Sequence, residues 1–535
     1  MEKRVLLALS LSFLILGFYP VILQKFYPQY NHTRQTSVAA RAQADSKTIA
    51  ATNPADDYSD ADDVLFKNDK LRLVFSQKGG AIRQVSYLNY MDYEKKDFLS
   101  LISAKTSEQA PLSIGVLSPS VENTATPNRI SIDGQSVLLD SQILNGSVTV
   151  HKKYVFRRSG YSADLSVTFE NTSGKPLDFQ YELFAGSRIP PRHTIDTQYI
   201  EANFFYSDDG KSKLRHVRET HPGRKVESQG SVNWVAVKDR HFSIILRPKQ
   251  PETFTGLAEG LGKHGFSAGV VSPHVSLAPG ASVTHEFLVY IGPNDLGELL
   301  PLGLEDIVNF GKMDFVGKIF IGGLEMLHKI FRNYGLAIIA LTLLINLCLF
   351  PFTRQSFLSM KRMQLIQPQM TKLREKYKDN PQQLNKEMME LYKKNKVNPL
   401  GGCLPMLLQM PIFIALYVAI SKFVRLIDAP FLWVRDLSSP DSVALPFTLP
   451  VLGNSIHVLP LIMCVGMALQ QNITRMNMEG QDPAMAEQQK MMAVMMPIIF
   501  GFIFYAMPSA LVLYWLTNTV FMTSYQLYLK KASVV

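Results

Sequence analysis

Two glycine-rich strings are the first places where the sequence could carry chemistry. Gly260-Leu-Gly262-Lys-His-Gly265 fits the GxGxxG pattern of a phosphate-cradling turn, and Gly265-Phe-Ser267-Ala-Gly269 fits the GxSxG pattern that lifts a nucleophilic serine onto a sharp bend. Both chemistries need a strand before the glycines and a helix after them. Here the continuation is Val270-Val-Ser-Pro273, β-leaning and stopped by proline, and no histidine follows in Ser, Asp, His order within that region. Both strings are therefore expected to be turn-rich loop. No HExxH, no Walker loop and no cluster of metal ligands occurs among the 11 histidines. The residues predict no catalytic constellation, no metal site and no cofactor, so the chain is expected not to be an enzyme.

A different kind of chemistry is suggested by polar residues inside long apolar runs. Thr342, Asn346, Gln409, Gln470, Gln471, Asn472, Tyr514, Thr517 and Asn518 lie in uncharged segments where contact with lipid would be costly. They either hydrogen-bond to one another across helices or line a wet cavity. Prolines 405, 411, 460 and 497 add freed carbonyls to the same segments.

The third concentration is charge. Of the net +10, residues 354–400 hold +7, with 11 basic and 4 acidic side chains, among them Lys361, Arg362, Lys372, Arg374, Lys393 and Lys394. Arg354–Lys378 has helical composition, Asp379-Asn380-Pro381 makes a turn, and Gln382–Lys396 resumes the helix. The spacing predicts an antiparallel hairpin in which Met360, Met363, Met370, Leu373 and Tyr377 face Leu384, Met388, Leu391 and Tyr392. Such a hairpin either only sets topology and touches anionic lipid, or also receives acidic or ribosome-borne partners on adaptable methionine contacts.

The elements that must position these residues follow from hydropathy. Lys3 and Arg4 precede an uncharged run Val5–Leu23, long enough at about 1.5 Å per residue to cross a bilayer core of roughly 30 Å. With no small-residue cleavage site after it, residues 1–28 are expected to be a retained transmembrane anchor and 29–63 a flexible linker. Residues 64–301 alternate as in Val283-Thr-His-Glu-Phe-Leu-Val-Tyr290, with Gly, Pro and Asn between short runs, and are predicted to form a β-sandwich. Residues 302–333 are amphipathic and are expected to lie along the membrane surface. Uncharged segments then occur at about 334–352, 403–421 and 457–474, and a final run, Met491–Leu529, must fold back at Met507-Pro508-Ser509. The expected fold class is a multi-pass α-helical membrane protein of six spans, with a five-span core over 334–535, a large periplasmic β-sandwich domain and a cytoplasmic helical hairpin over 354–400. Positive-inside bias puts both termini in the cytoplasm and residues from about 29 to 333 in the periplasm.

Composition agrees with this division. Twenty of the 22 methionines follow residue 300, and the only cysteines, Cys348, Cys403 and Cys464, sit in apolar segments without partners, which excludes a disulfide scaffold or zinc module.

These residues resemble a known family. Lys396-Val-Asn-Pro-Leu-Gly-Gly-Cys-Leu-Pro405 running on through Gln409-Met-Pro-Ile-Phe413, with Lys386-Glu-Met-Met-Glu-Leu-Tyr392 before it and Pro508-Ser-Ala-Leu-Val-Leu-Tyr514 after it, is similar to the YidC membrane protein insertases. Gly79-Gly-Ala-Ile-Arg-Gln-Val85 and Trp234-Val-Ala-Val-Lys-Asp-Arg-His-Phe242 resemble the periplasmic domain of Gram-negative members. The resemblance implies an insertase and chaperone of the bacterial inner membrane, acting on nascent membrane proteins alone or with the Sec translocon, and touching the ribosome or a targeting receptor and anionic lipids. It implies a hydrophilic groove at Thr342, Asn346, Gln409, Tyr514 and Trp515. It implies an apolar slide for the client helix at Met410, Pro411, Phe413, Ile498, Ile503 and Phe504.

Two departures sharpen that expectation. The family usually carries a basic residue, commonly Arg, where this chain has Asn346, so the groove is expected to work by hydration and hydrogen bonding, with Arg354 as the nearest substitute charge. The sequence given ends soon after Lys530-Lys531, which shifts the expected ribosome contact to the hairpin. The competing class is a solute transporter or channel with a periplasmic ligand-binding domain; it would show internal repeats with paired broken helices, and none is evident.

Overall fold

The computed structural model describes residues 63–532 except 78–79, 93–96, 104–110, 119–125, 188–198, 218–222, 251–253, 261–265, 379, 396, 398–403, 450–452 and 477–482. The expected anchor and nearly all of the linker lie outside the described residues. The described chain divides into a β-rich unit, running to Gly311 and including Lys422–Arg425, and a helical unit of Lys312–Ser421 and Leu426 onward.

In the β-rich unit, apolar residues at alternate positions put one face of each strand inward. Val148–Phe156 shows it fully, with Val148, Val150, Tyr154 and Phe156 buried and Thr149, His151, Lys153 and Val155 turned out. A nine-stranded antiparallel sheet runs in space through Lys211–Val217, Glu201–Asp208, Ser231–Lys238, Phe242–Pro248, Ser282–Pro293, Ser162–Asn171, Val148–Phe156, Ser136–Ile143 and Thr126–Asp133. A six-stranded sheet built on Leu177–Ser187 packs against it. There Gly256 sits so near Phe204, Val235 and Val232 that a Cβ would lie 3.2–3.3 Å from them. A four-stranded sheet, Asp63–Lys67 through Asp97–Ser103, is pinned by aromatic pairs: Phe66 on Phe156 at 4.4 Å and Tyr87 on Phe242 at 4.3 Å between ring centroids.

The helical unit contains α1 (Asp314–Phe331), α2 (Tyr334–Lys376), α3 (Pro381–Lys394), α4 (Leu404–Lys422), α5 (Val458–Met476), α6 (Pro483–Tyr505) and α7 (Ser509–Ala532). The amphipathic helix is shorter than expected from the 302–333 pattern. Residues Leu300–Leu302, Glu305–Ile307 and Gly311–Met313 are single 3₁₀ turns, interrupted where Gly303 and Gly311 take positive φ of 62° and 64°. A second difference is that the 334–352 span and the first arm of the hairpin are one helix. α2 continues for 43 residues through Pro351 and Pro368, about 64 Å in length. Each proline removes one backbone bond without stopping the helix. Tyr334–Met363 of α2 is the stretch long and apolar enough to cross a membrane among the described residues; Gln409–Lys422, Val458–Ile473 and Ala493–Tyr505 are shorter apolar helices.

Between α4 and α5 the chain folds on itself. Ser509 donates through both its backbone N–H and its Oγ to the carbonyl of Ser439, and Ala510 N–H donates to Leu437, so the first donors of α7 are satisfied from outside the helix. Asp441 Oδ2 accepts from Leu459 N–H at 2.9 Å at the start of α5.

Candidate functional site: polar residues of the helical unit

Thr342 and Asn346 stand one turn apart on α2, on the same face by their i, i+4 spacing, and both are buried. Each bonds back to its own helix: Thr342 Oγ1 donates to the Ile338 carbonyl at 2.6 Å, and Asn346 Nδ2 donates to the Thr342 carbonyl at 2.9 Å. That leaves the Asn346 amide oxygen, Oδ1, buried and without a hydrogen-bond partner. An unmatched buried acceptor costs about 1–3 kcal/mol, and an apolar residue would avoid it. Asn518 Oδ1 on α7 is in the same position.

Gln409 and Tyr514 do form a bond across helices, the Gln409 Nε2 donating to the Tyr514 hydroxyl between α4 and α7. Of the two readings open at the sequence level, glue applies to this pair, while Thr342 and Asn346 are not used as glue. Thr517 follows the second pattern, donating to the Leu513 carbonyl of its own helix at 2.8 Å. Trp515 belongs to an aromatic cluster: its ring lies 5.1 Å from Phe413, 5.1 Å from Phe500 and 5.3 Å from Phe504. Phe500 was not singled out by sequence, although its i, i+4 relation to Phe504 would have flagged it.

The six residues expected on the apolar slide divide by exposure. Met410 (44%), Ile498 (53%) and Ile503 (45%) present open apolar surface, and Pro411 is exposed beside them. Phe413 is half-buried and Phe504 is closed off at 1%, both held in the Trp515 cluster. Phe504 is thus packed into the aromatic cluster of Phe413, Phe500 and Trp515 and presents no open surface. Cys464 Sγ donates to the Pro497 carbonyl at 3.2 Å, bringing α5 and α6 so close that a Cβ on Gly501 would meet that sulfur at 2.7 Å.

In the hairpin, Ile366, Met370 and Val397 form a small buried core with Met363, Met388, Leu391 and Tyr392 packed on it. The expected facing of methionines is seen at 363, 370 and 388. Ile366 and Val397 were not among the residues expected there; Ile366 continues the 363, 366, 370 helical stripe and was readable as such. Lys361, Arg362, Lys372, Lys393 and Lys394 are exposed and Arg374 is half-buried, its guanidinium opposing the upward push that burial gives the Tyr392 hydroxyl.

The β-rich unit holds features that alternation alone could have flagged. Lys152 occupies an inward position of Val148–Phe156, donates to the Gly80 and Leu112 carbonyls at 3.1 and 2.7 Å, and has its pKa pulled down to about 7 by burial. Burial, reinforced by Glu259 and opposed by Lys225, raises Glu182 to about 8. Ser267, expected in a loop, lies buried in the strand Phe266–Val271, and a Cβ on Gly269 would fall 2.6 Å from the Leu183 carbonyl. The glycine there serves close strand pairing. Residues 261–265 of the GxGxxG string lie outside the described residues.

A β-rich unit joined to a helical unit with one helix long and apolar enough to cross a membrane, three shorter apolar helices and neutral polar groups buried among them fits a class: a membrane protein with a large extramembrane domain. Comparison with known proteins narrows it. The YidC periplasmic domain family matches residues 63–322 and the 60Kd inner membrane protein family matches residues 326–534. A membrane protein insertase YidC of Citrifermentans bemidjiense is 31% identical, with 99% of each chain covered, and one of Geobacter sp. strain M21 is 33% identical over 88% of this chain and 86% of its own. A crystal structure of an active YidC insertase aligns over 92% of this chain and 99% of its own at 20% identity and a TM-score of 0.39. The chain belongs to the YidC membrane protein insertase family, inner-membrane proteins with a periplasmic β-rich domain.

Proposed function

We propose that this chain inserts and chaperones membrane proteins, moving a client's transmembrane segment from the cytoplasm into the inner membrane through a polar groove, with no covalent step. The observation that supports it most is the buried Thr342–Asn346 face of α2, with its unmatched amide oxygen. A polar stretch of client can complete that hydrogen bond for a moment and leave again, because neutral hydrogen bonds are individually weak. A polar path lowers the cost of carrying a client charge past the low-dielectric core, and burial of the client's apolar helix in lipid drives release.

In this reading Gln409, Tyr514 and Trp515 complete the groove, and Met410, Pro411, Phe413, Ile498, Ile503 and Phe504 form the slide, with Met410, Pro411, Ile498 and Ile503 exposed, Phe413 half-buried and Phe504 buried. Six spans with both termini in the cytoplasm, an anchor over 1–28, and an interfacial helix before the five-span core account for the charge distribution. Lys361, Arg362, Lys372, Arg374, Lys393 and Lys394 make the hairpin the contact for ribosome, targeting receptor and anionic lipid, and the Sec translocon is a partner for some clients. Site-specific crosslinking of ribosome-bound nascent membrane proteins tests the slide: adducts are expected at Met410, Ile498 and Ile503, and their absence at all three positions overturns it. Because Asn346 carries no charge, insertion should depend little on acidic client tails; a strong acidic-tail preference in the wild type, unchanged in Asn346→Arg, would sink that part.

A further inference from the structure

Between α4 and α5, Phe431 and Val434 exchange backbone hydrogen bonds of 2.8 and 2.9 Å, closing a two-residue turn with Leu432 and Trp433 at its tip. Leu432 has φ of +53°, at the first central position, where such turns ordinarily carry glycine. A leucine there is backbone-strained, and it is also 76% exposed to its surroundings. Neither property helps the fold. The turn is nevertheless held firmly: Asn333 Nδ2 donates to the Pro430 carbonyl at 3.0 Å, Trp433 Nε1 donates to Asp441 at 3.2 Å, and the Phe431 ring fills the space above Gly335, where a Cβ would lie 2.1 Å away. It is therefore fixed at the corner where α1 gives way to α2.

That corner is apolar beyond the turn. Ile330 and Phe331 at the end of α1 and Leu336 at the start of α2 are exposed, within three residues of Asn333 on either side. Arg332 and Arg435 are exposed close in sequence to the same apolar residues. Apolar side chains flanked by guanidinium groups match the boundary between acyl chains and phosphate headgroups, where tryptophan also concentrates.

We propose that the Leu432–Trp433 turn is a lipid-docking tip that enters the headgroup and upper acyl region of the bilayer, with Arg332 and Arg435 on lipid phosphate. It fixes the depth of the α1–α2 corner, and so of the helix that carries Thr342 and Asn346. The proposal rests on α2 crossing the membrane and not on insertase activity.

The test uses the full chain in vesicles of phosphatidylethanolamine and phosphatidylglycerol containing chain-brominated lipid. The emission of Trp433, obtained as the difference between wild type and Trp433→Phe, should be lost to bromines placed near the headgroup and spared by aqueous iodide. Quenching by iodide without quenching by bromolipid overturns the proposal, and so does shielding from both, which would mean that protein covers the tip. Leu432→Gly relaxes the turn while removing its apolar group. It should keep or raise thermal stability and weaken the bromolipid quenching; unchanged quenching would assign Leu432 no part in docking. Co-flotation of the chain with the vesicles reports membrane insertion separately, so failure of the tip and failure of the spanning assignment are told apart.

Discussion

The β-rich unit buries Lys152, Glu182, Glu201 and Lys238, whereas the buried polar residues of the described helices in the helical unit are neutral, among them Thr342, Asn346, Thr353, Ser356 and Thr519. The charges in the β-rich unit are partnered or neutralised. Lys238 Nζ lies 3.3 Å from Glu201 and donates to the Ile307 carbonyl at 3.0 Å, and Lys152 donates to two carbonyls. In the helices the Thr342 and Thr517 hydroxyls bond to their own backbone, and the amide oxygens of Asn346 and Asn518 are left over. A domain in water can desolvate charge permanently because folding supplies fixed partners. A surface that must take up and release clients is better served by neutral groups whose bonds are exchanged at small cost. Asp441 is the buried carboxylate among the described residues of the helical unit, and it sits in the loop ahead of α5, engaged by Trp433 and Leu459.

The largest expected effect that separates the units is on pH. Glu182 is raised to about 8 in the folded chain, from an ordinary 4.5, so folded protein holds a proton that unfolded protein has lost between those values. Its contribution to stability is full below about pH 4.5 and is lost as pH rises toward 8, at up to about 1.4 kcal/mol per pH unit. Lys152 is lowered to about 7 from 10.5, so the unfolded chain holds the extra proton and stability rises with pH above 7. Thermal unfolding of the full chain followed by the buried Trp234 should therefore flatten between pH 5 and 7 in Glu182→Gln, and above pH 8 in Lys152→Met. Unfolding followed by Trp515 should change little in either variant; equal pH slopes at both tryptophans would erase the contrast.

Next in size are two glycines. A Cβ on Gly230 would lie 2.1 Å from the backbone oxygen of Ser207, while on Gly335 it would lie 2.1 Å from the Phe431 ring. A paired strand cannot yield, but a ring on a turn can swing. Gly230→Ala should cost about 3 kcal/mol and Gly335→Ala nearer 1 kcal/mol, in denaturant melts of each unit. The reverse order would mean that the Phe431 turn is held more tightly than the sheet.

Much of this was readable beforehand, and the gaps have physical causes. Alternation placed the strands around Ser147–His151 and Val283–Tyr290, yet the same alternation puts Lys152 on the inward face, a signal passed over because lysine is so seldom buried. Thr342 and Asn346 stood out as polar residues in an apolar run, and their i, i+4 spacing within a single helix is enough to put them on one face. Pairing Gln409 with Tyr514, or burying Phe504 while exposing Ile503, depends on how separate helices meet. A segment apolar on every side carries no phase to tell lipid from a neighbouring helix. The 3₁₀ turns ahead of α1 were hidden for a related reason: their apolar spacing suits a helix, and only the glycine conformations interrupt it.

Asn346→Leu tests whether the polar face is kept for function against stability. Replacing a poorly satisfied buried amide by an apolar group of similar volume should leave the helical unit unchanged or stabilise it by about 1 kcal/mol. Insertion of a client with a polar translocated tail should nonetheless fall, while a client with a short apolar tail is spared. A variant that loses stability and inserts both clients normally would make Asn346 an ordinary packing residue.

The smallest effect concerns the bond that does join two helices. If Gln409 and Tyr514 act as glue, Gln409→Leu, Tyr514→Phe and the double variant should give a coupling of about 0.5–1.5 kcal/mol in unfolding of the helical unit. Each single change strands one partner; the double change strands neither and should recover much of the loss. Because both residues also line the proposed groove, the double variant should insert clients poorly even where its stability recovers. If insertion instead tracks stability with no separate defect, Gln409 and Tyr514 are structural glue alone, and the groove narrows to Thr342, Asn346 and Trp515.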